Sequence, residues 1–341
     1  MNIADIVRSF RPGLENVKKL NAFEQKVLDD ITLCRTPTLG GHIMACKECG
    51  AVKATYNSCN NRHCPCCGSY KRDKWIANRK CEALPVKYFH LVFTIPSEFN
   101  ALCLQKPELM YTILFKSAWA TIESFGNDHK YLGAKTGMLT VLHTWGQNLS
   151  LHPHLHCLVP GGGITQNGKW RQVKKANGRF LFPVKALSAL FKARFCSMVS
   201  QQFKNRELKA PRNSLNNYHW LDCVYRKKWV VYAKEPILKG APVVEYLGRY
   251  THKVAISNSR IKSVNNANVT FSWLDYKTSK VKNMQLPGEE FLRRLLLHVL
   301  PQGFQKVRYY GFLANRNKTL AIAEILKDLK VLPEKNLKGL P

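Results

Sequence analysis

A chain of 341 residues with 45% hydrophobic content can bury a substantial core and fill more than one domain, which excludes global disorder. Its 53 Lys and Arg stand against 22 Asp and Glu, a formal net charge of +31 that far exceeds what solubility requires. The implied partner is a polyanion, and nucleic acid fits better than a membrane surface, because the charge is not gathered on one amphipathic helix beside an apolar face.

Asp5, Arg8 and Arg11 interrupt any early apolar run, and no stretch nears the roughly 18 apolar residues of a membrane span. A cytoplasmic protein is expected. From residue 3 to about 34, Ile6, Phe10, Leu14, Val17 and Leu20, then Phe23, Val27, Leu28 and Ile31, recur at helical spacing. Two helices are expected, separated at Pro12 and Gly13.

Six of the 12 cysteines follow between Cys46 and Cys67. Such crowding in an unsecreted chain points to metal rather than disulfides. Cys46-x2-Cys49-Gly50 and Cys64-x2-Cys67-Gly68 are two knuckles with 14 residues between them, the four-sulfur pattern of a structural zinc ribbon. A glycine after each second cysteine suits the tight turn. His42, Cys59, His63 and Cys66 lie in or beside the segment, so a second site or another choice of four ligands stays open. With all four bonds to protein, the Zn²⁺ would scaffold rather than catalyse. Its expected task is to hold a DNA-contacting surface made of Arg62 and a basic helix over 70–80, with Lys71, Arg72 and Lys74.

Beyond Pro85 the texture changes to strand-like runs over 88–95 and 137–145, separated by a helix from 108 to about 125. A strand over 154–159, helices near 184–204 and 242–252, a strand over 269–274, a helix carrying Arg293 and Arg294, and the run 306–311 complete the pattern. Strands interleaved with helices give an α+β class. The expected domains are 1–84 (helices and zinc-binding DNA-contact module), 85–275 (catalytic) and 276–341 (basic C-terminal region).

The stretch from His143 to His156 holds four histidines. In a strand, His154 and His156 point to one face and Leu155 and Cys157 to the other, which makes a half-open platform for a divalent ion that also binds a phosphate oxygen. Gln147, His143 and His152 are candidates for the third ligand; the amide oxygen of Gln147 suits a hard ion such as Mg²⁺ or Mn²⁺ if the residue occupies a neighbouring strand. Further on, Tyr246 and Tyr250 are four apart and hence on one helix face, with Arg249 and Lys253 near enough to steady phosphates. A phenol beside a metal-bound phosphate can act as a covalent nucleophile.

Cys46-x2-Cys49-Gly with 58–68 (Ser-Cys-Asn-Asn-Arg-His-Cys-Pro-Cys-Cys-Gly), the run from His90 to Pro96, His152-Pro-His-Leu-His156, Tyr246-Leu-Gly-Arg-Tyr-Thr-His252 with Ala255-Ile-Ser-Asn258, and His298-Val-Leu-Pro with Arg308-Tyr-Tyr-Gly311 form an ordered series. In this series the chain resembles the two-tyrosine, His-hydrophobic-His (HUH) rolling-circle transposases of the insertion-sequence ninety-one family. The resemblance implies a palm-like antiparallel sheet carrying the histidine pair, with helices, beside an N-terminal helical and zinc-ribbon-like module. It further implies nicking and rejoining of single-stranded DNA, at transposon ends and target, through a 5′-phosphotyrosine. Tyr246 or Tyr250 would attack while the ion on His154 and His156 polarises the phosphate. A bacterial, nucleoid-associated setting goes with that role. The bond energy is conserved in the covalent intermediate, in keeping with a sequence that has no phosphate-binding Gly-x4-Gly-Lys-Ser/Thr loop, so any helicase would be a separate host protein. A replication initiator of the same chemistry and a non-catalytic zinc-dependent DNA-binding protein are the competing readings.

Overall fold

Asn2 starts the first helix by accepting the backbone N–H of Asp5, whose carboxylate accepts the N–H of Asn2 in return. The computed structural model describes residues 2–80, 82–173, 181–212, 214–234, 245–246, 248, 250–251 and 253–331, the side chains of Ser69, Tyr70, Lys71, Asn78 and Lys80 excepted. Helix α1 (Ile3–Val17) continues through Pro12, so the expected break moves to residues 18–21. The proline removes one helical hydrogen bond and costs about 3 kcal/mol. Ile3, Ile6, Val7, Phe10 and Leu14 bury one continuous stripe on either side of it, each contributing roughly 1.5–3 kcal/mol. Asn21 then caps α2 (Ala22–Leu33) with a second reciprocal bond pair to Glu24.

The remaining elements in chain order are β1 (Gly41–Ala45), β2 (Val52–Tyr56), α3 (Gly68–Lys80), β3 (Tyr88–Thr94), α4 (Asn100–Gln105), α5 (Pro107–Asn127), β4 (Gly137–Trp145), β5 (Leu151–Pro160), β6 (Gly162–Ile164), β7 (Trp170–Gln172), α6 (Val184–Lys204), α7 (Asn217–Arg226), β8 (Val230–Ala233), β9 (Ile261–Val264), β10 (Asn268–Asp275), β11 (Lys280–Pro287), α8 (Gly288–Leu296), β12 (Val307–Gly311) and α9 (Lys318–Asp328). Residues 245, 246, 248, 250 and 251 are helical, as expected for the tyrosine segment. Among the described residues no helix is long and apolar enough to cross a membrane.

The chain divides into two compact units, each discontinuous: Met1–Asp73 with Thr144–Leu151 and His252–Gln302, and Lys74–His143 with His152–Thr251 and Gly303–Pro341. The boundary expected at residue 84 falls inside the second unit, and the one expected at 275 falls inside the first. The first unit buries α1, α2, the sheet β11-β10-β9 and α8 around Phe10, Leu28, Phe271 and Phe291, with Cys64 and Cys67 in the same core. Gly288 opens α8 directly against Phe10, where a Cβ would enter the ring.

The second unit is organised by a five-stranded sheet in the order β12-β4-β5-β3-β8. β5 runs antiparallel to β3, with Val92 opposite His156 and Thr94 opposite His154, so His90, His154 and His156 share one face. On the other face Phe93 packs edge-to-face on Phe191 of α6, with centroids 4.9 Å apart. On the histidine face, Tyr88, Leu139, Val141 and Leu158 lie under Ile322 and Ile325 of α9.

Candidate metal centres and tyrosine pair

Four thiols meet in the first unit. Cys34 ends α2, Cys59 and Cys64 come from the loop after β2, and Cys67 precedes α3; their sulfurs all lie within 4.8 Å of one another. Two measured separations, Cys34 to Cys67 and Cys59 to Cys67, are both 3.5 Å. Tetrahedral zinc–sulfur bonds of about 2.3 Å would set sulfurs about 3.8 Å apart, so the cluster has the size of a four-thiolate site. A hydrogen bond from the Cys64 thiol, the largest cause, draws Cys59 down to about 5, while burial pushes Cys34 up to about 12.

This set holds Cys64 and Cys67 in common with the sequence expectation but takes Cys34 and Cys59 in place of Cys46 and Cys49. The latter two are exposed, beyond β1 in the connection to β2. There Gly50, at φ +68°, donates its N–H to the Cys46 carbonyl at 3.0 Å. Hydrogen bonds to the Cys46 sulfur, first from the Cys49 backbone, hold that thiol below its ordinary value. His42 is exposed on β1 opposite Thr55. Cys66 accepts a bond from the Asn258 amide at 3.5 Å, and the backbone N–H of His63 is bonded to Asn61.

In the second unit, His143 on β4 joins His154 and His156 on β5, and one ring nitrogen from each lies within 4.8 Å of the others. Each ring has a hydrogen-bond partner at one nitrogen: His154 Nδ1 with the His152 carbonyl at 2.6 Å, His143 Nε2 with the Tyr250 carbonyl at 2.8 Å, and His156 Nδ1 with His90 Nε2 at 2.9 Å. Fixing one nitrogen of each ligating imidazole is how proteins set tautomer and ring orientation at a metal. The neighbouring strand thus places His143 beside the pair. Gln147 lies on the turn between β4 and β5, where its amide donates to the Tyr276 hydroxyl at 3.0 Å and its carbonyl accepts from the Arg260 guanidinium.

Both tyrosines face this cluster. The Tyr250 ring centroid is 4.2 Å from that of His156, and the Tyr250 hydroxyl donates to the Tyr246 hydroxyl at 3.2 Å. Tyr246 Oη is in turn 3.1 Å from His90 Nδ1. His90 is 2% exposed, and burial first, then the charge of Lys234, pushes its imidazole down to about 4, so it is neutral near pH 7. Lys234 itself lies 5.7 Å from the Tyr246 ring centroid.

The cations expected at DNA are placed unevenly. Arg62 is half-buried and donates to the Pro301 carbonyl at 2.8 Å, which ties the cysteine loop to the segment after α8. Arg72 pairs with Asp73 at 2.9 Å, while Lys74 and Lys253 are exposed. Arg249 and the side chain of Lys71 lie outside the described residues. Three residues at these clusters carry little signal of their own in the sequence: His90 belongs to a motif series without a distinct role, Lys234 lies in no motif, and Cys34 stands alone.

A family profile described as "Transposase zinc-binding domain" matches residues 6–95, and one described as "Putative transposase" matches residues 137–320. "Putative transposase y4qJ" of Sinorhizobium fredii (strain NBRC 101917 / NGR234) is 41% identical over 333 residues, covering 94% of this chain and 82% of that protein. "Transposase for insertion sequence element IS801" of Pseudomonas savastanoi pv. phaseolicola is 28% identical over 323 residues, covering 92% of this chain and 75% of that protein. Among solved structures, the conjugative relaxase TrwC in complex with oriT DNA, metal-bound, aligns at 12% identity with a TM-score of 0.25, over 49% of this chain and 71% of that one.

Proposed function

The chain belongs to the insertion-sequence ninety-one family of transposases, with the zinc-binding domain in residues 6–95, and we propose that it nicks and rejoins single-stranded DNA through a 5′-phosphotyrosine on its tyrosine pair. The observation that carries the reading is the second unit's constellation of two hydroxyls 3.2 Å apart, with the Tyr250 ring 4.2 Å from a histidine of the three-imidazole cluster. A tyrosine Oη forms a bond to phosphorus as the bond from phosphorus to the 3′ oxygen breaks. The phenol loses its proton and the departing strand leaves as a 3′-hydroxyl, so atoms and charge balance. The phosphodiester energy stays in the phosphotyrosine, and a second hydroxyl beside the first can take over the strand at rejoining.

Residues His143, His154 and His156 would hold a divalent cation, which would polarise a non-bridging phosphate oxygen. Three imidazoles suit Mn²⁺ or another first-row transition ion better than Mg²⁺, which favours oxygen donors. Exposed Lys234, 5.7 Å from the Tyr246 ring centroid, would steady a phosphate of the bound strand. The four-thiol cluster would hold Zn²⁺ as a scaffold, with the exposed Cys46 and Cys49 as a second two-thiolate knuckle. The reading is tested with purified protein, Mn²⁺ and single-stranded oligonucleotides tiled across both genomic flanks of the coding segment. The expected result is covalent protein–DNA attachment with release of a 3′-hydroxyl. Attachment that persists in the Tyr246→Phe/Tyr250→Phe double variant would overturn the nucleophile assignment, and a non-catalytic binder would give shifted complexes without attachment.

A further inference from the structure

His90 sits in β3, buried, on the same sheet face as His154 and His156. It touches both halves of the proposed centre at once. Its Nε2 is 2.9 Å from His156 Nδ1, with the ring planes 9° apart, and its Nδ1 is 3.1 Å from Tyr246 Oη. A neutral imidazole carries one N–H, so each of these bonds fixes the direction of the other.

We infer that His90 is a positioning residue that makes Tyr246, not Tyr250, the hydroxyl that attacks first; this rests on the tyrosine-nucleophile reading above. Were His156 to offer Nε2 to a cation, its hydrogen would lie on Nδ1 and be donated to His90 Nε2. The hydrogen of His90 then lies on Nδ1 and is donated to Tyr246 Oη. Tyr250 donates its own hydroxyl hydrogen to the same oxygen. Tyr246 Oη therefore accepts from two donors, which orient its lone pairs and favour the charge that develops as its own proton passes through solvent to the departing 3′ oxygen. The Tyr250 proton, by contrast, is committed to a neighbour. Once Tyr246 carries the 5′-phosphate, that acceptor changes character and Tyr250 becomes the hydroxyl available for the second transfer. The order of the two tyrosines is thus set by a strand residue outside both motifs.

The two halves of the role can be separated by substitution. An asparagine amide reaches about where Nδ1 sits, and a glutamine amide about where Nε2 sits. His90→Asn is expected to keep first attachment on Tyr246 while Mn²⁺ affinity falls roughly 10-fold or more, the usual cost of losing an outer partner of a ligating histidine. His90→Gln is expected to keep Mn²⁺ affinity while attachment spreads to Tyr250. Mn²⁺ affinity is read by titration without DNA, attachment by peptide mass spectrometry of adducts on the tiled oligonucleotides, and folding by thermal melting. First attachment on Tyr250 in the wild type, or equal loss of both readouts in both variants together with a lowered melting temperature, would reduce His90 to a packing residue. Attachment in the Tyr246→Phe/Tyr250→Phe variant would instead remove the underlying reading, so the two failures are distinct.

Discussion

Replacing Cys34 by serine tests which four thiols make the structural site. Its sulfur lies 3.5 Å from that of Cys67, and the cluster's other members include Cys64 and Cys67, which are 1% and 5% exposed in the first unit's core. A bound ion stabilises the folded unit by RT ln(1 + [Zn]/Kd), about 4 kcal/mol at a thousandfold excess over Kd. The hydroxyl is a poor zinc ligand, so Cys34→Ser is expected to lose most of that. The substitution itself, at a half-buried helix end, costs no more than about 1 kcal/mol. For a unit of this size about 3–6 °C of melting temperature accompany each kcal/mol, so the metal-linked loss amounts to roughly 10–20 °C. Elemental analysis should show one Zn²⁺ fewer per chain, and calorimetry should show the first unit's transition lowered by the same amount that a chelator lowers the wild type. Cys46→Ser/Cys49→Ser should leave that transition in place. The reverse pattern, full zinc and an unchanged transition in Cys34→Ser with loss in the double variant, would refute the cluster and return the site to the two knuckles.

Two further predictions concern the second centre and the electrostatics of the first unit. His143→Ala should weaken Mn²⁺ binding by more than the roughly 10- to 100-fold expected for an outer-shell change. Gln147→Ala should leave it intact, and equal losses in a titration would speak for the glutamine. Arg293, then Arg294, hold the Glu290 carboxyl down at about 2. Because this folded value lies below the ordinary carboxylate value of roughly 4.3, the stabilisation is present above that pH and disappears as pH falls toward about 2. With solvent screening allowed for, Glu290→Gln should cost about 1 kcal/mol at pH 7. Denaturant titrations should show the gap closing between about pH 4 and 2.5, and a gap independent of pH would refute the linkage.

Local rules carried the sequence reading a long way. Alternation alone put His154 and His156 on one face, and the register of β5 against β3 agrees. Strand β4 has the limits expected for it, 137–145, and the described residues of the tyrosine segment, 245, 246, 248, 250 and 251, are helical. The structure differs where a distant part of the chain decides. Pro12 stays helical because the stripe from Phe10 to Leu14 is buried in a core that α8, far along the sequence, helps to build. Cuts at 84 and 275 assume contiguous domains, whereas each compact unit is assembled from three stretches.

The same limit explains the ligands. Paired cysteine spacing describes a turn, so it singles out Cys46 and Cys49, whose geometry is local. Cys34 reaches its cluster by another route: Val27, Leu28 and Ile31 form the buried stripe of α2, and Cys34, three residues on, continues it toward the same core as Cys64 and Cys67. A lone cysteine that prolongs an apolar helical stripe just before a cysteine-rich loop was therefore the signal available, and it is a signal of packing rather than of metal. For His143 the deciding fact is that β4 neighbours β5 in the sheet, and for His90 it is the register of β3 against β5 that sets it beside His156. Neither is a property of spacing along a chain. Chemistry that depends on which nitrogen carries a hydrogen becomes legible only when both of that ring's partners are known.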